Sequence, residues 1–440
     1  MEIVESAAHA AGSERPTLAE LDVCTRCGMC EQACPTYRLL GVEADSPRGR
    51  IFMMKDVAEG RATVDAFLAE HLYACLGCRA CETACPSGVN FGHLLELGRA
   101  QVEAGAPPVP GRTGWRFFRD FLTRRLLPNR ALTAAILAPA RFISRHRSAR
   151  RFLLALPLPA RMRTMIAMLP DAPVRGGALP ATIPAAGERR ARVGLFLGCV
   201  MNELYPHVHA ATVRVLRRQG FEIAVPPNQW CCGALNVHAG ERTRAKSMAR
   251  SVIDAFDAAA VEMIVTNSAG CGAMLKEYGE LLCDDPEYAE RARRFSTIVR
   301  DVTEVLRPLS PGDGAVPGGS RATYQDACHL AHAQKIREQP RALLRSIGRV
   351  EFTEMADSDR CCGAAGLHAL THPEIAAQLA DEKIDNAVAA GADTIVVCNP
   401  GCDMHLRAAI ERRGLALTVR HLLELVDEAY AGAAGAPITR

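Results

Sequence analysis

Two runs of four cysteines, Cys24, Cys27, Cys30, Cys34 and Cys75, Cys78, Cys81, Cys85, share the spacing C-x2-C-x2-C-x3-C, and a proline, Pro35 or Pro86, follows each. Thiolates are soft ligands, and three of them at every third position can line a tight turn around one metal centre. The fourth, displaced by one residue and stiffened by the proline, reaches a different centre. This is the spacing of a chain that carries two four-iron clusters with crossed ligation. It assigns Cys24, Cys27, Cys30 and Cys85 to one [4Fe-4S] cluster and Cys75, Cys78, Cys81 and Cys34 to the other. Structural zinc sites instead draw their cysteines from separated pairs.

A second set of cysteines repeats itself. Cys199, the pair Cys231-Cys232 before Gly233, and Cys271 are matched by Cys328, the pair Cys361-Cys362 before Gly363, and Cys402. The gaps are 32 and 39 positions in the first copy and 33 and 40 in the second, and a fixed internal period marks a duplicated unit. Two adjacent thiolates on a glycine-containing turn can reach different atoms of one centre, which suits a multinuclear iron-sulfur site, with zinc as the alternative. Cys283 and Cys398 have no counterpart in the repeat and read as ordinary thiols. His238 and His368 sit at equivalent positions after the two turns, and His329 and His332 follow Cys328. Each suits either a hydrogen bond to a cluster or plain packing.

These residues need elements to hold them. Forty residues separate Cys34 from Cys75, including the helix-compatible stretches RGRIFMMKDVAEG and VDAFLAEHLYAC, a spacer too long for a minimal ferredoxin. Around the second set, short apolar runs end near a thiol (RVGLFLGC, MIVTNSAGC, TIVVCNPGC) and alternate with helical stretches. In an open parallel sheet such strand ends form the ligand crevice. The expected fold is therefore α+β and multidomain. An α-helical ferredoxin-type domain occupies 1–100, a basic helical connector and linker 101–190, and two α/β Cys-Cys-Gly domains 191–310 and 320–432. Stretches rich in Pro and Gly at 171–188 and 308–320 read as linkers.

Composition narrows the setting. With 49% hydrophobic and 23% charged residues the chain reads as globular protein, and MEIVESAAHAAGSERP has no signal-peptide pattern, so its 18 cysteines point to cytoplasmic, metal-bound thiols rather than disulfides. No apolar stretch is long enough to span a bilayer. The net charge is only +3, yet Arg112 to Arg163 holds thirteen arginines against one acid, Asp120, interleaved with aromatic residues from Trp115 to Phe142. That pattern fits an anionic membrane surface or an acidic partner equally well. Nothing resembles a nucleic-acid-binding module. No G-x-G-x-x-G follows a strand, so a flavin or nicotinamide acceptor must lie in another chain.

Over nearly its whole length the chain resembles the iron-sulfur subunit family of bacterial glycolate oxidase. The residues that carry this are CTRCGMCEQACPTYRLLGVEADSPRGRIFMMK, CLGCRACETACPSGV, CCGALNVHAG, NSAGCGAMLKEYG, ACHLAHAQK, CCGAAGLHALTHPE and NPGC. The resemblance implies an electron-transfer subunit, inactive alone, whose FAD-containing partner subunits oxidise glycolate to glyoxylate. It further implies peripheral attachment to the inner face of the cytoplasmic membrane and delivery of electrons towards quinone. Arg48 and Arg50 match the family's PRGR, a place for tuning a cluster, docking a partner or simple salt bridging. Heterodisulfide reductases share the repeat but end it in C-x-x-C; here Ser268 and Asn399 stand at the first of those cysteines. Iron-sulfur subunits of lactate and glycerol 3-phosphate dehydrogenases have similar architecture and remain alternatives, as do a catalytic disulfide- or quinone-reducing role and a non-enzymatic sensor.

Overall fold

The computed structural model describes residues 14–105, 113–170, 179–310 and 314–433. Residues 1–13 of the stretch read for a signal, Arg112 and parts of both linkers lie outside the described residues.

The N-terminal part is helical. Cys34 caps the helix Pro35–Leu40, whose proline occupies the first turn, where no N–H is needed. Ser46 caps the next long helix, Pro47–Ala58, by accepting from Gly49 N at 2.9 Å. Helices Ala66–Ala74 and Phe91–Gly105 complete the module around Leu21, Met54, Leu72 and Leu95. Within each cysteine run two residues take left-handed backbone, Arg26 and Gly28 in the first, Gly77 and Arg79 in the second. The chain therefore curls between thiols instead of continuing as a helix.

Two sheets follow. The first contains β1 (Thr182–Ile183), β2 (Ala191–Leu195), β3 (Phe221–Ala224), β4 (Met263–Thr266) and β5 (Val299–Asp301), in the order β1-β3-β2-β4-β5. The second contains β6 (Ala315–Tyr324), β7 (Gly348–Phe352), β8 (Thr394–Val397) and β9 (Thr418–His421), in the order β7-β6-β8-β9. Apart from β1, which is antiparallel to β3, all pairings are parallel, so the two copies share one topology. β1 lies in the stretch read as linker; two residues are too short for a visible alternation. One apolar core runs through both copies, joining Val193, Leu195 and Ile223 to Tyr324, Ile395 and Val396.

Between module and sheets lies a chain of short helices from Thr113 to Ala167. It docks through Trp230 Nε1, which donates to Leu127 O at 2.7 Å, and Asn236 Nδ2, which donates to Thr123 O at 2.8 Å. Among the described residues no helix is long and apolar enough to cross a membrane.

Candidate metal centres

The second cysteine run is the more enclosed. Cys34, Cys78 and Cys81 are buried, whereas Cys27 is exposed. Burial pushes the Cys78 thiol well up, and the neighbouring charges that add to this are Cys361, Cys75 and Cys34. Cys81 is raised by burial too, and then by Cys78, Cys75 and Cys34. Both thus feel a charge on Cys34, whose own sulfur contacts are Thr36 Oγ1 at 3.2 Å and Asp45 O at 3.6 Å. In the first run burial takes Cys30 up to about 11, with Cys24 among the charges acting on it. Cys85 packs in the same apolar cluster as Cys24 and Cys30, although Cys75 and Cys81 also border that cluster. Thr25 Oγ1 and Ser87 Oγ, 3.3 Å apart, tie the start of one run to the end of the other.

Arginines brace both runs. Arg50 is fully buried; its guanidinium donates to Asp45 Oδ1 at 3.0 Å, His71 O at 2.8 Å and Thr36 Oγ1 at 3.2 Å, and Thr36 Oγ1 lies 3.2 Å from Cys34 Sγ. Arg48 instead pairs at the surface with Glu31 and Glu43. A third arginine was not anticipated. Arg99 donates to Leu72 O, to Cys75 O at 2.7 Å and to His238 O at 2.8 Å, joining the second run to the first Cys-Cys-Gly copy.

In the sheet domains the thiols gather where the strand order reverses. Cys199 follows β2 and Cys271 follows β4, the two neighbours from which the chain turns in opposite directions; Cys328 and Cys402 follow β6 and β8 likewise. The Cys-Cys-Gly turns enter from the side. Gly233 and Gly363 have φ of +82° and +91°, and a Cβ on Gly363 would lie 2.6 Å from Ala376 O, so only glycine lets the turn lie against the following helix. In the first pocket Cys199 Sγ and Cys231 Sγ are 3.5 Å apart, and Cys231 and Cys271 are the thiols that act on Cys232. In the second, Cys361 is the thiol that acts most on Cys328, and Cys362 on Cys402. Among the described residues no three His, Cys, Asp or Glu side chains close on one point as ligands of a single ion. Thiols arranged in pairs and chains fit a multinuclear centre, in which different thiolates bind different metal atoms.

The two pockets have different neighbours. Cys361 shares an apolar cluster with Cys78, Leu76 and Leu379, with Cys328 at its edge. Cys199 and Cys231 pack instead on Leu127 of the connector, beside Trp230 and Leu235. Asn399 spans the pockets: its Nδ2 donates to Cys402 Sγ at 3.7 Å, and its Oδ1 accepts from Gly270 N, next to Cys271, at 3.1 Å. The histidines take the packing role. His329 Nε2 donates to Gly77 O and His368 Nε2 to Ala74 O, both at 3.0 Å, and burial lowers both imidazoles to about 3. They hold the second run against the sheet domains in neutral form. His332 bonds to Thr83 Oγ1 at 2.9 Å, and His238 faces Glu96 at 3.3 Å. Cys283 is exposed and Cys398 buried, both away from these sets.

Fold and site together define an iron-sulfur electron-transfer protein in which a two-cluster helical module is fused to a duplicated cysteine-rich unit. Residues 20–89 match the 4Fe-4S dicluster domain family, and residues 193–276 and 322–407 match the cysteine-rich CCG domain family. The chain is 40% identical to a probable glycolate oxidase iron-sulfur subunit of Bacillus subtilis, over 94% of this chain and 95% of that protein. It is 37% identical to the glycolate oxidase iron-sulfur subunit of Escherichia coli, over 93% and 94%. A lactate utilization protein A of Shouchella clausii is 34% identical over 53% of this chain and 98% of its own length. The chain belongs to the glycolate oxidase iron-sulfur subunit family, and is thus an oxidoreductase subunit.

Proposed function

We propose that this chain carries electrons from FAD-containing partner subunits that oxidise glycolate to glyoxylate towards a quinone or another membrane acceptor. Cys24, Cys27, Cys30 and Cys85 hold one [4Fe-4S] cluster, and Cys75, Cys78, Cys81 and Cys34 the other. The two Cys-Cys-Gly pockets hold further iron-sulfur centres. Bound clusters supply one-electron acceptors and donors. The protein's own contribution is to keep the thiols together, exclude water with Leu21, Met54 and Leu72, brace Cys34 through Thr36 and Arg50, and fix the second run through Arg99. The observation that carries the reading is the shared burial of Cys34, Cys78 and Cys81 in one small helical module, which fits crossed ligation of two clusters.

The test is reduction by substrate under anaerobic conditions. Glycolate should bleach the cluster absorbance only when the flavin subunits are added, and the purified chain alone should not reduce an artificial dye with glycolate. Dye reduction by the chain alone would overturn the assignment.

The connector supports membrane attachment. Phe142 and Phe152 are 59% and 66% exposed, Met162 and Met165 are exposed beside them in sequence, and so are Arg145, Arg151 and Arg163. Apolar side chains interleaved with arginines fit the boundary of an anionic bilayer. Burying a whole aromatic side chain is worth about 1.5–3 kcal/mol. Replacing Phe142 and Phe152 together by Ser should therefore weaken co-sedimentation with phosphatidylglycerol vesicles at least about tenfold, while cluster absorbance stays unchanged. Equal sedimentation of both proteins would remove the connector from this role.

A further inference from the structure

The two Cys-Cys-Gly copies can be superposed by the faces that their following helices bury. In Arg242–Asp257 these are Arg242, Ala245, Ala249, Val252, Ile253 and Phe256; in Pro373–Ala389 they are Ala376, Leu379, Ala380, Lys383, Ile384 and Ala387. At a constant offset five buried positions of each coincide, from Ala245 with Ala376 to Phe256 with Ala387, and among these five one differs in charge. Where the first copy has Val252, the second has Lys383, and both are 2% exposed.

A buried ammonium needs compensation. Lys383 Nζ donates to Asp357 O, and to Ser358 O at 3.2 Å, yet among the described residues it makes no ion pair. The nearby carboxylates are engaged elsewhere. Asp326 pairs with Arg341 at 2.7 Å, Asp359 with Arg337 at 3.1 Å, and Asp357 with Arg360. Those carbonyls lie just before Cys361, and Ala376 of the same helix lies against Gly363, so the ammonium sits beside the Cys361-Cys362 turn. Burial disfavours the ammonium, and the charges of Cys362 and Cys361 oppose that most; ligating thiolates there would supply its counter-charge.

We propose that Lys383 makes the two pockets unequal: it gives the iron-sulfur centre of the second, the one packed on Cys78, a positive charge that favours its reduced form, while the first copy has the uncharged Val252 at the matching position. The proposal rests on the reading that the second pocket holds such a centre. Each one-electron reduction adds a negative charge to a site sheltered from solvent, where a nearby cation stabilises it far more than in water. The second pocket is thereby the better electron sink, and it is also the one beside the ferredoxin-type run. Electrons leaving that run meet it before the first pocket, which faces the connector.

The experiment is an anaerobic dithionite titration of the full chain followed by paramagnetic resonance, with iron and sulfide analysis, on the wild type, C361A, K383M, K383Q and K383R. C361A should lose one signal and its iron. K383M and K383Q should keep their iron but lower the one-electron equilibrium constant of that same signal at least tenfold, ~59 mV, while the other signals move less and K383R stays near wild type. Loss of that centre's iron in the neutral variants but not in K383R supports the charge equally. Unchanged midpoints in folded, iron-replete K383M and K383Q overturn the role of Lys383 and leave the pocket assignment standing. A centre lost or shifted alike in K383R and the neutral variants overturns it as well. Full iron and all signals in C361A remove the centre itself, and the proposal with it.

Discussion

Replacing Cys34 by Ala abolishes the cluster of the second run and spares that of the first; replacing Cys85 does the reverse. Each variant should lose about four iron atoms per chain, the content of one cluster. The spectrum of C34A should match that of C78A, and the spectrum of C85A that of C27A. The expectation follows from where Cys34 lies: buried, 3.2 Å from Thr36 Oγ1, with its charge felt by Cys78 and Cys81 across the module. The proline after it starts a helix, which leaves the thiol at the helix entrance. Uncrossed ligation predicts the opposite pairing of spectra, C34A with C27A. Because an electron relay is interrupted by one missing station, substrate-driven reduction of the membrane acceptor should fall by orders of magnitude in either variant, although only one cluster is lost. Alanine is the right replacement, since a serine oxygen can remain as a ligand.

The parts of this site that were legible in the sequence are those whose spacing is itself the chemistry. A cysteine every third residue with a proline after the fourth can be read without a fold, and so can a duplicated Cys-Cys-Gly turn. Strand ends near Cys199, Cys271 and Cys402 were legible because buried parallel strands are short apolar runs. What escaped depends on contacts between distant segments. Lys383 left a faint signal, a charge at a core position of an otherwise apolar helical stripe, but only its match to Val252 gives that charge a meaning. Asn399 was noticed as a missing cysteine; that its amide joins both pockets requires knowing that β4 and β8 end face to face. Of the histidines after the thiols, open between cluster chemistry and packing, His329 and His368 bond to the carbonyls of Gly77 and Ala74, which belong to a module some 250 residues away or more.

Arg99 is the extreme case, an arginine inside a helix that nothing in its sequence neighbourhood distinguishes. Its side chain is 6% exposed, it makes no ion pair among the described residues, and its guanidinium serves the carbonyls of Leu72, Cys75 and His238. Methionine at this position would fill most of the volume while leaving three buried acceptors without a donor, each worth about 1–3 kcal/mol. Relaxation and water entry will recover part of that, so we expect R99M to lose about 3 kcal/mol. In a module of this size that corresponds to a fall of roughly 10 °C or more in the first thermal transition. Lysine should rescue only partly, because an ammonium on a flexible stem cannot reproduce the planar fork that spans Leu72 O and Cys75 O. The damage should also be directional. The second run is held to the sheet domains by Arg99, His329 and His368, whereas the first run has no such strap among the described residues. In R99M the second-run cluster should therefore be lost first on exposure to oxygen or chelator, followed as a paramagnetic signal against time. Equal decay of both clusters, with the thermal transition unmoved, would show that the carbonyl of Cys75 does not need its cation, and that the contact between module and sheet domains is held by the histidines and by the apolar patch around Cys78 and Cys361.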